Sequence, residues 1–185
     1  MDIKHPSTCN ETFFQWLKTT KNAKVLEIGT MRSNPNIATH HGKYLPKDAI
    51  HVKSDAFNGI DVDIVSDAEN LKEFDSETFD AIICISTLEH ISRPWKAIEQ
   101  FYRVLKPSGH VLVESHQSFP LHGYPQDYFR FSTDAYNVMG QDVGFEIVDF
   151  GYSYPAVITP PKEITIWNTL APVFLNSSVV YKKSA

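Results

Sequence analysis

Three of the eight histidines, His90, His116 and His122, sit at or just beyond runs that read as strands. An imidazole titrates near neutrality and can take a proton from a hydroxyl or ammonium, so His90 and His116 are the candidate catalytic bases. His122 lies in a loop long enough to fold back over His116. The same three rings, with Glu114 or Asp127, have the ligand types of a zinc site, and a metal-dependent hydrolase on His90, His116 and His122 is one alternative reading. No HxH or HExxH spacing joins them, so no residue is assigned to a metal. Two aspartates have other chemistry. Asp55 closes a strand candidate and suits the two hydroxyls of a ribose. Asp67 follows another and can accept a proton from an exocyclic amine, or cap a short helix over Ala68–Glu73. Tyr124–Phe131 packs four aromatics, Asp127 and Arg130 into eight residues. His122, Asp127, Tyr128 and Arg130 are therefore the candidate acceptor-binding residues, although Asp127 and Arg130 are also spaced to pair with each other.

Such side chains work only if strands and helices deliver them to one place. Thr8–Thr20 reads as a helix with Thr8 and Glu11 at capping-box spacing and Phe13, Phe14, Trp16 and Leu17 on one face. Lys24–Gly29, Ala49–Ser54, Val62–Ser66 and Phe79–Ser86 read as strands, the last apolar on both faces as a central parallel strand is. Pro94–Leu105 is an amphipathic helix with proline at its first turn. Lys106–Gly109 ends it, and His110–Glu114 is a further strand. Thr133–Gln141 reads as a helix, and Phe145–Phe150 and Ser178–Lys182 as the last strands. Strands alternating with helices or loops predict an α/β fold: a Rossmann-like, seven-stranded, mostly parallel sheet with helices on both faces and an antiparallel last strand. Ligands of such sheets bind beyond the carboxyl ends of the strands, where the candidate residues collect.

Composition bounds the rest. The chain has 185 residues, 42% hydrophobic and 21% charged, which fits one folded domain. That domain divides into an N-terminal helix (1–22), a cofactor-binding half (24–116) and an acceptor-side loop, helix and strands (117–185). Two cysteines exclude a disulfide framework, and a net charge of −5 disfavours a nucleic-acid partner. The apolar runs are too short to span a membrane, and Met1–Thr20 has no secretory pattern, so a cytoplasmic protein is expected. Trp16 and Trp95 read as core, Cys84 as an inert buried thiol, Cys9 as a terminal one, and Lys182 and Lys183 as a solvated basic end. Pro155, Pro160, Pro161 and Pro172 punctuate a lid or packing arm. Only 8 glycines occur, about 4% against a usual ~7%.

Four segments in this order carry a resemblance: Val25-Leu-Glu-Ile-Gly29, Asp61–Leu71 (DVDIVSDAENL), Phe79–Ile91 (FDAIICISTLEHI) and Phe101–Glu114 (FYRVLKPSGHVLVE). Over about Lys24–Tyr152 the chain resembles class I S-adenosylmethionine-dependent methyltransferases of the methyltransferase-11-like group. The resemblance implies S-adenosylmethionine as cofactor and methyl transfer to a small-molecule acceptor. Glu27, Gly29 and Thr30 would accommodate the methionine part, Asp55 the ribose, and Asp67 and the Ala68 amide the adenine. Ser86 and Thr87 would open the loop beneath the methionyl group. A slip in the second strand would pass the ribose role to Asp61 or Asp63. The group's GxGxG run is replaced by Gly29-Thr-Met-Arg-Ser-Asn34. Either the loop runs wider and Arg32 or Asn34 meets the cofactor carboxylate, or binding is weakened, and a degenerate non-catalytic binding module is then the alternative. The missing glycines count more against a dinucleotide, whose pyrophosphate needs close backbone approach. The aromatic loop suggests a sugar or nucleotide-sugar acceptor, with a homodimer as one way to cover it.

Overall fold

A computed structural model of the chain describes residues 7–32, 34–37, 40–123, 125–159 and 173–185. Seven strands form one sheet: β1 (Lys24–Ile28), β2 (Ile50–Asp55), β3 (Ile64–Val65), β4 (Phe79–Ile85), β5 (Leu105–His116), β6 (Phe145–Ala156) and β7 (Val173–Lys183). Their order is β3-β2-β1-β4-β5-β7-β6. The pairs among β1 to β5 are all parallel, and β7 runs antiparallel to both β5 and β6. The expected Rossmann-like sheet with an antiparallel last strand is the observed one.

Strand side chains alternate between two cores, as the period of two requires. Leu26, Ile82, Cys84, Val111, Val113 and Val179 face helices α2 (Pro94–Val104) and α3 (Thr133–Val143). Val25, Ala81, Ile83, Leu112 and Val180 face helix α1 (Cys9–Leu17), which contributes Cys9, Phe13 and Leu17. Helices therefore cover both faces. The cover is thin on the β2–β3 side: among the described residues, the crossover from β1 to β2 holds only a 3₁₀ turn at Gly42–Tyr44.

Several local expectations change. Thr8 stands at the N-cap of α1 without a side-chain capping bond, its hydroxyl donating to Asp149 on β6 (2.7 Å). No helix forms over Ala68–Glu73. Asp67 Oδ1 accepts the Glu69 N–H in a turn, and Leu71 at φ +41° halts any helical run. β5 starts at Leu105, directly after α2, with residues 106–109 bulged out of the ladder between the Phe79–Leu105 and Ala81–His110 pairs. β6 and β7 run on well beyond Phe150 and before Ser178, pairing as far as Ala156–Val173. Pro155 lies in that ladder, while Pro160, Pro161 and Pro172 fall outside the described residues. Trp95 is 47% exposed and so is not core, whereas Cys9 is buried. Lys183 is buried too, its ammonium donating to the Leu105 and Tyr102 carbonyls and lying over the Tyr102 ring.

His110 is a second buried polar residue. Its ring stacks on Trp16 at 3.9 Å, and burial lowers the imidazole from 6.5 to about 4. Between pH 6.5 and 4 the unfolded chain takes up this proton before the folded one, so stability falls as pH falls, by roughly 3 kcal/mol in total. Urea unfolding should show that decline in the wild type and a flatter profile in His110→Gln. Equal slopes in the two proteins would show that another group is responsible.

Candidate active site

The strand order reverses between β1 and β4, and a cavity of about 1010 Å³ opens at the carboxyl ends of the strands there. Its floor begins at Gly29, which turns the chain off β1 at φ +80°. A Cβ at this position would lie 1.9 Å from Thr87 Oγ1, so the first turn and the turn after β4 close on each other. Ser86 holds φ +48° with its N–H bonded to the Glu114 carbonyl, a conformation that non-glycine residues adopt only under constraint.

The loop after Gly29 satisfies its own backbone. The Gly29 and Thr30 amides donate to the Ser54 carbonyl, Met31 to Asp55 Oδ2 and Arg32 to the Ile60 carbonyl. The four amides from Gly29 to Arg32 are thus not spare for a phosphate, in keeping with the argument against a dinucleotide. Arg32 ion-pairs with Asp61 and donates to the Pro35 carbonyl, and Asn34 accepts the Asn36 amide. Neither Arg32 nor Asn34 borders the cavity; Met31 does.

Glu27, Gly29, Asp55, Asp67, Ala68, Ser86 and Thr87 all line the cavity, as the strand-end reading places them. Thr30 does not: it is buried, its hydroxyl donating to the Asp61 carbonyl (2.7 Å). Asp55 rather than Asp61 reaches the cavity, so β2 has the expected register. Its carboxylate also accepts the Met31 and Phe57 amides. Glu27 is held by the His41 amide and by the His41 and His51 rings, both at 2.8 Å. Burial would raise this carboxyl, but those bonds outweigh it and hold it at about 2. His41 and His51 were not foreseen, since nothing in their spacing marks them as partners of Glu27.

His90, His122 and Tyr128 also line the cavity. His90 ends a 3₁₀ turn, Leu88–His90, and its Nδ1 faces the Gln126 carbonyl at 2.5 Å. His116, the last residue of β5, is buried behind them, stacked on Phe119 at 4.0 Å, and does not line the cavity. Asp127 and Arg130 are bonded to each other (2.7 Å for Nη2–Oδ2). The guanidinium holds the Asp127 carboxyl well below the usual carboxylate range, and Asp127 accepts the His122 amide. The pair shapes the loop without bordering the cavity. Phe129 and Phe131 pack into the core beside Tyr136, Tyr128 alone of the described aromatics in this loop borders the cavity, and Tyr124 lies outside the described residues. Glu89, between Leu88 and His90, is fully buried beneath the three histidines. Only its place in the Leu-Glu-His motif could have drawn attention to it.

Comparison with known proteins agrees with this geometry. The methyltransferase domain family matches residues 14–113, more than half of the chain. A ubiquinone biosynthesis O-methyltransferase of Alkalilimnicola ehrlichii is 27% identical over 109 residues, covering 59% of this chain and 40% of that protein. The ubiquinone/menaquinone biosynthesis C-methyltransferase UbiE of Cereibacter sphaeroides is 30% identical over 102 residues, covering 55% and 40%. The match thus spans about two fifths of the length of these curated relatives. Among solved structures, YcgJ of Bacillus subtilis superposes with a TM-score of 0.66 at 15% identity, covering 96% of this chain and 98% of that one. The Burkholderia thailandensis 1,6-didemethyltoxoflavin-N1-methyltransferase, solved with S-adenosylhomocysteine, gives 0.63 at 12% identity over 97% and 80%. With its motifs, its strand order and the family match in agreement, the chain belongs to the class I S-adenosylmethionine-dependent methyltransferases of the methyltransferase-11 group.

Proposed function

We propose that the chain transfers a methyl group from S-adenosylmethionine to a small-molecule acceptor. One observation carries the reading: the cavity at the strand-order switch is lined by Asp55, Asp67 and Ala68 together with His90, His122 and Tyr128. The donor set fits the cofactor. Asp55 suits ribose hydroxyls, and Asp67, with Oδ2 beyond its turn bond, suits the adenine amine. Gly29, Ser86 and Thr87 shape the floor for the methionyl part. Bound there, the sulfonium supplies a methyl carbon whose leaving group needs no further activation.

The chain then has to position the acceptor and remove its proton. His90 fits the second task. Its Nδ1–H is committed to the Gln126 carbonyl, which leaves the Nε2 lone pair to accept a proton. The Glu89 carboxylate, 3.8 Å from that nitrogen, stabilises the imidazolium so formed. His116 is buried too deeply for the same task. The acceptor is read no more finely than a small molecule with an apolar part, because Met31, Ile37 and Ile91 line the cavity beside Tyr128. A sugar finds little stacking surface there, and the named relatives belong to ubiquinone and menaquinone biosynthesis. The binding-module and hydrolase alternatives are less well supported, since neither needs Asp55 and Asp67 at this cavity.

Calorimetric titration with S-adenosylmethionine and S-adenosylhomocysteine tests the reading. Binding should be saturable, and Asp67→Ala and Asp55→Ala should each weaken it about tenfold or more, on the order of 1.4 kcal/mol. No binding at millimolar ligand would remove the proposal, and unchanged affinity in both variants would remove the residue assignments.

A further inference from the structure

The histidine cluster behind the cavity has a property that methyl transfer does not require. Glu89 is fully buried, and its two carboxylate oxygens differ. Oε2 accepts the Ser115 hydroxyl at 2.7 Å, while Oε1 has no hydrogen-bond partner among the described residues. Around Oε1 stand three imidazole nitrogens: His116 Nε2 at 3.2 Å, His90 Nε2 at 3.8 Å and His122 Nε2 at 3.9 Å. Even the nearest forms no hydrogen bond to it.

The far side of each ring fixes its tautomer. His90 Nδ1 faces the Gln126 carbonyl, and His122 Nδ1 faces the Pro120 carbonyl (3.2 Å) and Asp127 Oδ2 (3.3 Å). His116 Nδ1 faces Asn176 Oδ1 (3.0 Å), an amide oriented by its Nδ2 donating to Glu114 Oε1 (2.9 Å). All of these oxygens accept only, so each ring carries its proton on Nδ1. In the neutral rings the Nε2 lone pairs of His116 and His122 are then unprotonated beside the unpartnered carboxylate oxygen. Three electron-rich atoms share one spot with no hydrogen between them.

We propose that this spot binds a divalent transition-metal ion through Glu89 Oε1, His116 Nε2 and His122 Nε2. These three atoms lie within 4.8 Å of one another. A tetrahedral ion with ligands at about 2.0–2.1 Å separates its ligand atoms by ~3.3 Å, so small side-chain movements close the shell. Two imidazoles and one carboxylate favour a borderline ion such as Zn²⁺ over Mg²⁺ or Ca²⁺. Acceptors on every Nδ1 and a hydroxyl on Oε2 form the outer layer that orients metal ligands. The fourth position is left to water or to a polar group of a molecule in the adjoining cavity, which His122 borders.

The test uses the full-length chain stripped with chelator, then titrated with Co²⁺ followed by absorption and with Zn²⁺ in competition with a chromophoric chelator. One equivalent should bind, with cobalt bands typical of a four- or five-coordinate site. Outer-layer changes alone cost 10–100-fold in affinity, so His122→Ala and Glu89→Gln should each cost about 100-fold or more. His122 is on a partly exposed loop, so its variant remains informative if the buried Glu89 variant does not fold. Absence of saturable binding would overturn the proposal and assign a shared proton to the cluster. Binding unaffected by His122→Ala and His116→Ala would place the ion elsewhere and overturn it equally. Neither titration uses S-adenosylmethionine, so failure here leaves the methyl-transfer reading standing.

Discussion

Gly29→Ala is expected to abolish detectable S-adenosylhomocysteine binding and to destabilise the fold by about 3 kcal/mol or more. Two effects add. The residue sits at φ +80°, which costs an L-amino acid roughly 1–2 kcal/mol. The new methyl would also lie 1.9 Å from Thr87 Oγ1 and 2.8 Å from Thr87 Cβ, so β1 and the turn after β4 must separate. Overpacking of this kind typically costs a further 1–3 kcal/mol. Separation displaces Ser86 and Thr87, which form part of the cavity floor, so affinity and stability should fall together. Denaturant melts and calorimetry measure both. Adding Thr87→Ala to Gly29→Ala should restore part of the lost stability, because it removes two of the three clashing atoms but not the backbone strain. A double variant no more stable than Gly29→Ala would show that the clash is not the cause.

The second large effect is expected at Glu27. Glu27→Ala removes the acceptor for the His41 amide and for two imidazoles, leaving three polar groups without their buried partner. Stranding such groups costs about 1–3 kcal/mol each before solvent reaches them. Both rings are partly exposed, so we expect a net loss of about 3 kcal/mol. The effect should depend on pH in a defined direction. The carboxyl is held at about 2 in the folded chain against 4.5 ordinarily, so its contribution is complete above pH 4.5 and disappears as pH falls toward 2. Stability curves of wild type and Glu27→Ala should therefore converge on acidification. A constant gap down to pH 2 would mean that Glu27 acts through packing alone. Glu27→Gln, which keeps the shape and one acceptor oxygen, should recover about half of the loss at pH 7.

The two variants also divide what could be read in the sequence from what could not. The turn at Gly29 and the acids at Asp55 and Asp67 could be placed because a short apolar run, followed by a break, marks where a buried parallel strand ends. Ile82 and Cys84 face one core and Ala81 and Ile83 the other, as a strand apolar on both faces requires. His41 and His51 could not be read as partners of Glu27, because His41 lies in a crossover without regular helix and His51 reaches Glu27 only through the pairing of β2 with β1. Glu89 was hidden for a different reason. A buried carboxylate inside a familiar motif looks like packing until the Nδ1 partners of the rings around it, two of them from distant segments, are known. Arg130 and Lys183 show the limit of assigning charge to solvent or substrate. The first closes on Asp127 and three loop carbonyls, and the second plugs the end of β7 against the carbonyls of α2 and β5.

The cavity wall itself carries a consequence for turnover. Four carboxylates, Glu27, Asp55, Asp67 and Glu69, border it, and no lysine or arginine does so among the described residues. A ligand that arrives with a fixed positive charge and departs as a neutral thioether meets an attractive field on entry and loses that attraction the moment its methyl group leaves. Under the proposed methyl transfer, this wall, with Glu69 already paired to Arg93, would favour the cationic cofactor over its neutral product, a preference that salt should reduce.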